Sequence, residues 1–228
     1  MSHRGPPKDQ VYVRRRGRMT AGQARALDEL TGRYRVDEAA FLDQLPLDRR
    51  CGLEIGFGMG QALVEWCCAE PETQIVGIEV YQPGIGSAML RAEQVAVTNL
   101  RILEGDAARI LAASTTTPWL DELRIFFPDP WPKKRHAKRR IVQPDFIAVA
   151  ASRMRPGALL RVATDWQPYA EWISEVLPHE PLLQNLGGAD GFAPRFTDRG
   201  ETNFEARGRR LGHPVWDFLY ARQDQRAG

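Results

Sequence analysis

Short apolar segments alternate with amphipathic ones from Cys51 onward, and this alternation constrains the fold more than any other feature of the chain. Strands are predicted at Gly52–Ile55, Ile75–Val80, Leu100–Leu103, Leu123–Phe127 and Ala158–Ala163. Helices are predicted at Gln61–Cys68, Pro83–Val97, Ala107–Ala112, Pro144–Met154 and Pro168–Val176. Strand–helix alternation of this kind favours a parallel sheet with helices on both faces. We therefore predict a doubly wound, Rossmann-like α/β domain.

The segments outside this alternation add an arm, a helix and a last strand. Residues 1–18 are rich in Gly, Pro and Arg, and are predicted to form a flexible basic arm before one domain spanning 19–228. Thr20 and Gln23 fit a capping box for a helix that runs to about Leu30. The tail Val215–Tyr220 alternates apolar and polar residues, which predicts an added antiparallel strand at the edge of the sheet.

Composition excludes several classes of protein. Cys51, Cys67 and Cys68 form no Cys-x-x-Cys pair and lie in apolar surroundings, so we expect reduced core residues, a reducing compartment and no metal. Residues 1–10 carry no apolar signal segment, and no apolar stretch approaches the ~20 residues of a membrane span. We therefore expect a cytoplasmic protein without a membrane anchor.

A glycine-rich turn follows the first predicted strand and opens a helix. Gly56, Gly58 and Gly60 would let a nucleotide approach the backbone, although this spacing alone is weak evidence. Glu79 closes the second strand, where an acid accepts hydrogen bonds from the two ribose hydroxyls of an adenosine ligand. The alternative for Glu79 is a cap on the following helix.

Further acids at strand ends distinguish between the possible nucleotide ligands. Glu54 precedes the glycine turn, and Asp106 and Asp129 follow the third and fourth strands. A carboxylate beside the turn would repel a pyrophosphate, whereas the ammonium and sulfonium of S-adenosylmethionine favour an anionic wall. Asp106 is placed to accept from the adenine amino group. Each acid alone is more often a helix cap or a loop residue, but their shared position at one edge of the sheet favours a functional role.

The segment from Phe127 to Arg140 combines a fixed carboxylate with dense positive charge. Pro128 and Pro130 hold Asp129 on a stiff loop, and Trp131 offers a flat face on which a base could stack. The net charge of the chain is only +2, so a basic surface must come from clustering. Contacts to RNA phosphates are predicted for Lys134, Arg135, His136, Lys138, Arg139 and Arg140. The alternative is a proline-rich turn followed by a solvated charged segment.

Five stretches together resemble the bacterial tRNA (guanine-N7-)-methyltransferases. They are Leu53–Gly60, Gly77–Val80, Phe126–His136, Ala163–Trp166 and Thr202–Glu205. The resemblance implies a class I methyltransferase fold, S-adenosylmethionine as methyl donor with S-adenosylhomocysteine as product, and N7 of the variable-loop guanine of tRNA as acceptor. The Phe126–His136 stretch is highly specific, whereas many methyltransferases share the glycine turn.

The same resemblance implies roles for individual residues. Glu54, Glu79 and Asp106 would bind the cofactor, and Asp129 would bind it and lie at the catalytic centre. Substrate contacts are implied for Lys133, Asp165, Thr202, Asn203, Phe204 and Glu205. Asn203 departs from the family, which commonly has Lys there.

The chemistry of guanine N7 agrees with this site. N7 carries an in-plane lone pair and no proton, so direct in-line displacement needs no general base. Asp129 would then act as an electrostatic anchor for the positive charge that moves onto the base. Asp165 has two interpretations. It could accept from guanine N1–H and N2–H₂, or Thr164 or Asp165 could be the N-cap of the following helix.

Three other functions use similar features. An NAD-dependent oxidoreductase is disfavoured by Glu54 and by Gln61, which stands where Gly-x-Gly-x-x-Gly needs its last glycine. A non-catalytic RNA-binding module would not need the set of acids. An adenine-N6 methyltransferase is the third alternative, since Pro128–Trp131 resembles the Asp-Pro-Pro-Trp-like loops of such enzymes.

Overall fold

A seven-stranded sheet forms the centre of the protein in the computed structural model, which describes residues 18–197 and 214–224. The order across the sheet is β3-β2-β1-β4-β5-β7-β6. The first five strands in this order run parallel to one another, and β7 is antiparallel to both β5 and β6. The strands are β1 Cys51–Ile55, β2 Gln74–Glu79, β3 Leu100–Glu104, β4 Leu120–Phe126, β5 Met154–Thr164, β6 Leu183–Asn185 and β7 Trp216–Arg222.

Helices connect the strands and cover the sheet. They are α1 Ala21–Glu29, α2 Thr31–Tyr34, α3 Glu38–Asp43, α4 Gln61–Ala69, α5 Gln82–Gln94, α6 Ala107–Ala113, α7 Pro144–Arg153 and α8 Gln167–Val176. Two 3₁₀ helices span Lys134–Arg139 and Leu177–His179. The doubly wound architecture, with an antiparallel strand near the C-terminus, is confirmed.

The predicted capping box at α1 is also confirmed. The Gln23 amide donates to the Thr20 hydroxyl at 3.2 Å, and the Thr20 amide donates to the Gln23 side chain at 2.9 Å. This reciprocal pair satisfies two donors at the start of the helix, where backbone groups have no partner within the helix.

The predicted elements differ from the structure mainly at their ends. The last strand is not at the edge, because β6 pairs with the outer side of β7. The three residues of β6 are too few to show a period in the sequence. The strand β5 begins at Met154, so the helix before it ends at Arg153. The residues Arg155–Gly157 are polar or helix-breaking, so the first part of β5 lacks the apolar run that indicates a strand.

Apolar side chains pack on both faces of the sheet. Residues such as Leu53, Ile78 and Ile125 point to one face, where α6, α7 and α8 complete the larger cluster. A second cluster includes Ile75 and Ile102 with side chains of α1, α4 and α5. Parallel sheets are normally covered on both faces in this way, and as a result their carboxyl edge is left for ligands.

The cysteines divide between the core and the surface. Cys51 and Cys67 are buried, and burial raises the pKa of both thiols well above the usual range. Cys68 was predicted to be a core residue, which is wrong, because it is exposed. It follows Cys67 on the amphipathic helix α4, so neighbouring residues point in different directions. Within residues 18–197 and 214–224, no helix has the length and apolar character needed to cross a bilayer.

Candidate active site

A cavity of about 340 Å³ opens at the carboxyl edge of the parallel strands. The turns after β1, β2, β3 and β4 each contribute to its wall, as expected where the ends of parallel strands meet. Residues from these four turns that line it include Gly56, Gly58, Met59, Glu79, Val80, Tyr81, Gly105, Asp106, Phe127, Pro128, Asp129 and Trp131. Arg139 and Ile141 complete the wall from the segment before α7.

The three glycines of the turn have two roles: Gly56 and Gly58 line the cavity, and Gly60 allows close packing against a helix. Gly56, Gly58 and Gly60 have φ values of 71°, 55° and 76°, which side chains other than glycine rarely adopt. A Cβ on Gly56 or Gly58 would meet nothing within 4 Å, so open space faces the backbone there. A Cβ on Gly60 would lie 2.3 Å from the Cβ of Ala88. Gly60 therefore permits contact between the turn and α5, and it does not line the cavity.

Glu79 ties the end of β2 to the glycine turn. Its Oε2 accepts from the Gly58 amide at 2.9 Å, and its Oε1 accepts from the amides of Val80 at 2.7 Å and Tyr81 at 3.0 Å. Burial raises the pKa of this carboxyl, although the three amides favour its charged form, and the nearby Asp129 raises the pKa further. Glu79 thus borders the cavity as predicted and also organises the loop around it.

Asp106 is both a helix cap and part of the cavity wall. Its Oδ1 accepts from the amides of Ala108 at 2.9 Å and Arg109 at 3.3 Å, which makes it the N-cap of α6. The same residue lines the cavity after β3. The two interpretations of this acid are compatible, because a carboxylate has lone pairs for more than the two amides.

Glu54 lies beside the cavity wall, within the sheet. It is 3% exposed, stands in register between Gly77 and Arg124, and does not line the cavity. Arg124 is itself buried, with its Nε 2.6 Å from Glu122 Oε1 and its guanidinium 3.7 Å from the centre of a Trp66 ring. The carboxylate of Glu54 therefore lies among buried charges beneath the glycine turn.

Asp129 occupies an exposed position on a strained loop after β4. Phe127 and Trp131 flank the Pro-Asp-Pro segment with φ values of 49° and 44°, a conformation that is an outlier for bulky side chains. The Phe127 amide donates to the Ala163 carbonyl at 2.8 Å, which anchors the start of the loop to the end of β5. Such strain persists only where surrounding contacts hold it, and it is concentrated at functional sites.

The basic block, Lys133–Arg140, follows this loop and contains the 3₁₀ helix Lys134–Arg139. Arg139 lies 5.0 Å from the ring centre of Trp131, and the His136 ring meets Trp131 edge-on at 5.6 Å. The indole of Trp131 therefore has two neighbours from this block, while it stays half-buried and lines the cavity. Partial burial, with the charges of Arg139, Arg135 and Lys133, lowers the pKa of the His136 imidazole.

The cations of this block have different environments. Lys133, Arg135 and Lys138 are exposed and can reach a phosphate backbone. Arg140 is only 8% exposed, and its Nε donates to the Pro130 carbonyl at 3.0 Å. The side chain of Lys134 is outside the part of the chain that the structure describes.

Asp165 and Trp166 follow β5, at the same edge of the sheet as Asp129. The N-cap of α8 is Trp166, without a side-chain cap, so the prediction of Thr164 or Asp165 as N-cap is wrong. The Thr164 hydroxyl accepts from the Trp166 amide at 3.3 Å instead. Asp165 does not line the cavity, and Trp166 is 41% exposed. Trp166 therefore presents more free aromatic surface than Trp131 does.

Some predicted contacts lie outside the described residues, and some lining residues were not predicted. Thr202, Asn203, Phe204 and Glu205 are outside the described ranges, as are residues 1–17 of the basic arm. Met59 and Tyr81 line the cavity and were missed, although each follows a strand end by a few residues. Ile141 also lines it, and no local pattern indicates this position. Among the described side chains, no group of three His, Cys, Asp or Glu could hold a metal ion.

Sequence comparison gives close relatives over almost the whole chain. Residues 48–218 match a family described as "Putative methyltransferase". The tRNA (guanine-N(7)-)-methyltransferase of Acidovorax sp. (strain JS42) is 48% identical over 93% of this chain and 85% of its own. The enzyme of the same name from Halorhodospira halophila is 44% identical over 98% of this chain and 99% of its own.

Structural comparison gives methyltransferases with much lower identity. The crystal structure of an aminoglycoside resistance methyltransferase has a TM-score of 0.55 and 13% identity, over 82% of this chain and 94% of its own. The 16S rRNA (adenine(1408)-N(1))-methyltransferase from Catenulisporales acidiphilia, in a structure with its cosubstrate SAM, has a TM-score of 0.52 and 17% identity, over 85% and 94%. These likenesses concern the fold, which is that of class I methyltransferases.

Proposed function

Because the chain belongs to the bacterial tRNA (guanine-N7-)-methyltransferase family, we propose that it methylates N7 of the variable-loop guanine of tRNA, with S-adenosylmethionine as donor, in the cytoplasm. The observation that carries this proposal is the position of Asp129. This carboxylate lines the acid-walled cavity and stands four residues before Lys133, the first of the exposed cations. A small cationic cofactor and a polyanionic substrate would therefore meet at one loop.

The chemistry of the cavity wall fits the cofactor. Glu79, Asp106 and Asp129 give the wall negative charge, which suits the ammonium and sulfonium groups. We propose that Glu79 accepts hydrogen bonds from the ribose hydroxyls and Asp106 from the adenine amino group. The open space beside the backbone of Gly56 and Gly58 would take the amino-acid part. The cofactor supplies a methyl group on a positively charged sulfur. Glu54 would attract the cofactor ammonium only at longer range, through the charge of its carboxylate, since its side chain does not line the cavity.

Asp129 is proposed as an electrostatic stabiliser. Guanine N7 carries no proton, so its lone pair attacks without a general base. Positive charge passes to the purine during the reaction, and a carboxylate already fixed nearby stabilises that charge along the path. Alignment of the reacting atoms supplies the rest of the acceleration. The strained, proline-flanked loop around Asp129 suits this task because a preorganised carboxylate need not move during the reaction.

The substrate side uses residues around the 3₁₀ helix Lys134–Arg139 and the end of β5. Asp165 is proposed to accept from N1–H and N2–H₂ of guanine, donors that adenine lacks, and no N-cap role competes for it. Lys133 and Thr202–Glu205 are proposed to contact the substrate, as in the family. Arg135 and Lys138 are proposed to meet RNA phosphates.

The test is incubation with labelled S-adenosylmethionine and an unmodified tRNA transcript, followed by nucleoside analysis. We expect 7-methylguanosine, and no labelling of a tRNA that carries 7-deazaguanosine at the target position, because that base has no N7 lone pair. Label in N6-methyladenosine would instead support the adenine-N6 alternative. Binding of NAD without binding of S-adenosylhomocysteine would contradict the proposed cofactor.

A further inference from the structure

Arg140 differs from the other cations of the basic block because its guanidinium is engaged within the protein. The residue is 8% exposed, and its Nε donates to the carbonyl oxygen of Pro130 at 3.0 Å. The guanidinium carbon lies 5.0 Å from the ring centre of Tyr169, within the range of a cation–π contact. Its backbone amide donates to the Ala137 carbonyl at 3.0 Å and so ends the 3₁₀ helix. Arg140 is thus part of the 3₁₀ turn and part of the buried layer under it.

The carbonyl that Arg140 binds belongs to the loop of Asp129. Pro128 and Pro130 have no amide hydrogen, so the loop has few backbone donors with which to fix itself. Phe127 and Trp131 hold left-handed conformations at its two ends, and the Phe127 end is tied to Ala163. The bond from Arg140 to Pro130 holds the other end, one residue after Asp129.

Tyr169 provides a rigid support for this contact. It is fully buried on α8, and its hydroxyl accepts from the Val142 amide at 3.2 Å, just before α7. Burial raises the pKa of this phenol; the charge of Arg140 opposes that rise, and the charge of Asp129 adds to it. Both the guanidinium and the carboxylate therefore lie close enough to this ring to act on it electrostatically.

We propose that Arg140 is a positioning residue for methyl transfer, which holds the Pro130 carbonyl and thereby fixes the Asp129 carboxylate, and that it does not bind an RNA phosphate. The proposal rests on the proposed function. Electrostatic stabilisation depends on a carboxylate that is already in place, and precise sites depend on supporting contacts of this kind. The 3₁₀ helix leads directly into Arg140. A shift of this helix on binding RNA would therefore also move the guanidinium that holds the Pro130 carbonyl next to Asp129.

The experiment compares Arg140→Gln with Lys138→Gln, a change at an exposed cation of the same turn. The measurements are the single-turnover rate at saturating S-adenosylmethionine and tRNA, and the tRNA Kd as a function of salt. For Arg140→Gln we expect the rate to fall about 10- to 100-fold, with the tRNA Kd within about twofold of wild type and the salt slope unchanged. For Lys138→Gln we expect a weaker tRNA Kd and a slope lower by somewhat under one unit.

A rescue experiment separates positioning from a general loss of structure. Arg140→Ala removes the guanidinium, and added methylguanidinium should restore part of its single-turnover rate. The same additive should not accelerate wild type or Lys138→Ala, and ethylammonium at equal concentration should not replace it. Thermal unfolding identifies variants that are not folded. Arg140→Lys keeps the charge but not the planar Nε donor, and it replaces Arg140→Gln and Arg140→Ala in the test if those two variants are not folded. We expect it to have a reduced single-turnover rate and an unchanged salt slope.

Two results would overturn the inference. One is a weaker tRNA Kd and a lower salt slope in the Arg140 variants with a wild-type rate at saturation, which would make Arg140 a phosphate contact. The other is a wild-type rate, Kd and slope in Arg140→Gln, or in Arg140→Lys where only that variant folds. The methyl-transfer assay on the wild-type protein distinguishes a failure of the proposed function from a failure of the proposed role of Arg140. A wild-type protein that transfers no methyl group to tRNA contradicts the proposed function itself.

Discussion

The carboxylate of Glu79 accepts a hydrogen bond from the amide of Gly58 at 2.9 Å, which joins the end of β2 to the glycine turn after β1. The two segments are the parts of the cavity wall that would face the ribose and the amino-acid portion of the cofactor. One side chain thus shapes the turn through its bond to Gly58 and, in the proposed function, also binds the cofactor. Substitutions at Glu79 should therefore affect binding and stability together.

We predict that Glu79→Ala weakens S-adenosylhomocysteine binding by about 1.5–3 kcal/mol, because charge-assisted hydrogen bonds to the ribose are lost. The variant should also lower the free energy of unfolding by about 1–3 kcal/mol, since the amides of Gly58, Val80 and Tyr81 lose their acceptor. Calorimetry and urea denaturation measure the two quantities. The exposed Glu72→Ala is the matched control and should change neither. Wild-type affinity in Glu79→Ala would restrict Glu79 to its structural role.

The raised pKa of Glu79 predicts a pH dependence of cofactor binding. The folded protein favours the protonated form, so the contribution of Glu79 to the free energy of unfolding increases as pH falls through the interval between its unfolded and folded pKa values. Cofactor binding should change in the opposite direction, because the ionised carboxylate is the better acceptor. Affinity for S-adenosylhomocysteine should therefore fall, on acidification, at a higher pH than an ordinary glutamate would give. Glu79→Gln should remove this dependence; a titration that persists in that variant would assign it to another group.

At Asp129, substitution by Asn tests the electrostatic mechanism. Shape and much of the hydrogen bonding are kept, while the charge is lost, so we expect single-turnover rates to fall about 10²- to 10³-fold. Rates of the wild type should show no essential base that titrates near neutral pH, because N7 has no proton to remove. A rate that rises with a pKa of about 6–7 in the wild type and is flat in Asp129→Asn would instead indicate general-base catalysis.

Salt dependence tests the proposed contact of the 3₁₀ helix Lys134–Arg139 with tRNA. Arg135 and Lys138 are exposed on the 3₁₀ helix, so changing both to Gln should weaken tRNA binding and lower the log–log salt slope by somewhat under two units. Binding of S-adenosylhomocysteine should stay at the wild-type level. Arg25→Gln changes an exposed cation on α1 and is expected to leave the slope unaltered. An unchanged slope in the double variant would exclude this turn from the tRNA footprint.

The sequence alone determined the order of the strands and helices around the site and the edge at which the acids gather. Glu79, Asp106 and Asp129 each follow an apolar run, and the carboxyl ends of parallel strands lie at one edge of a sheet, so their meeting at one cavity followed from local patterns. The basic character of the turn after Trp131 was equally visible. These features depend on periodicity and on the position of a residue relative to a strand end.

Only the tertiary structure decided which of those side chains lie inside and what they contact. Arg140 belongs to the same basic run as Lys138, yet it is buried because Pro130 and Tyr169, from two other segments, meet its guanidinium. Glu54 lies two residues before the first glycine of the turn, yet it is buried beside Arg124 within the sheet. The strand β7 is internal because the short β6 pairs with its outer side. Burial of a long or charged side chain depends on partners distant in the sequence, and no local pattern records them.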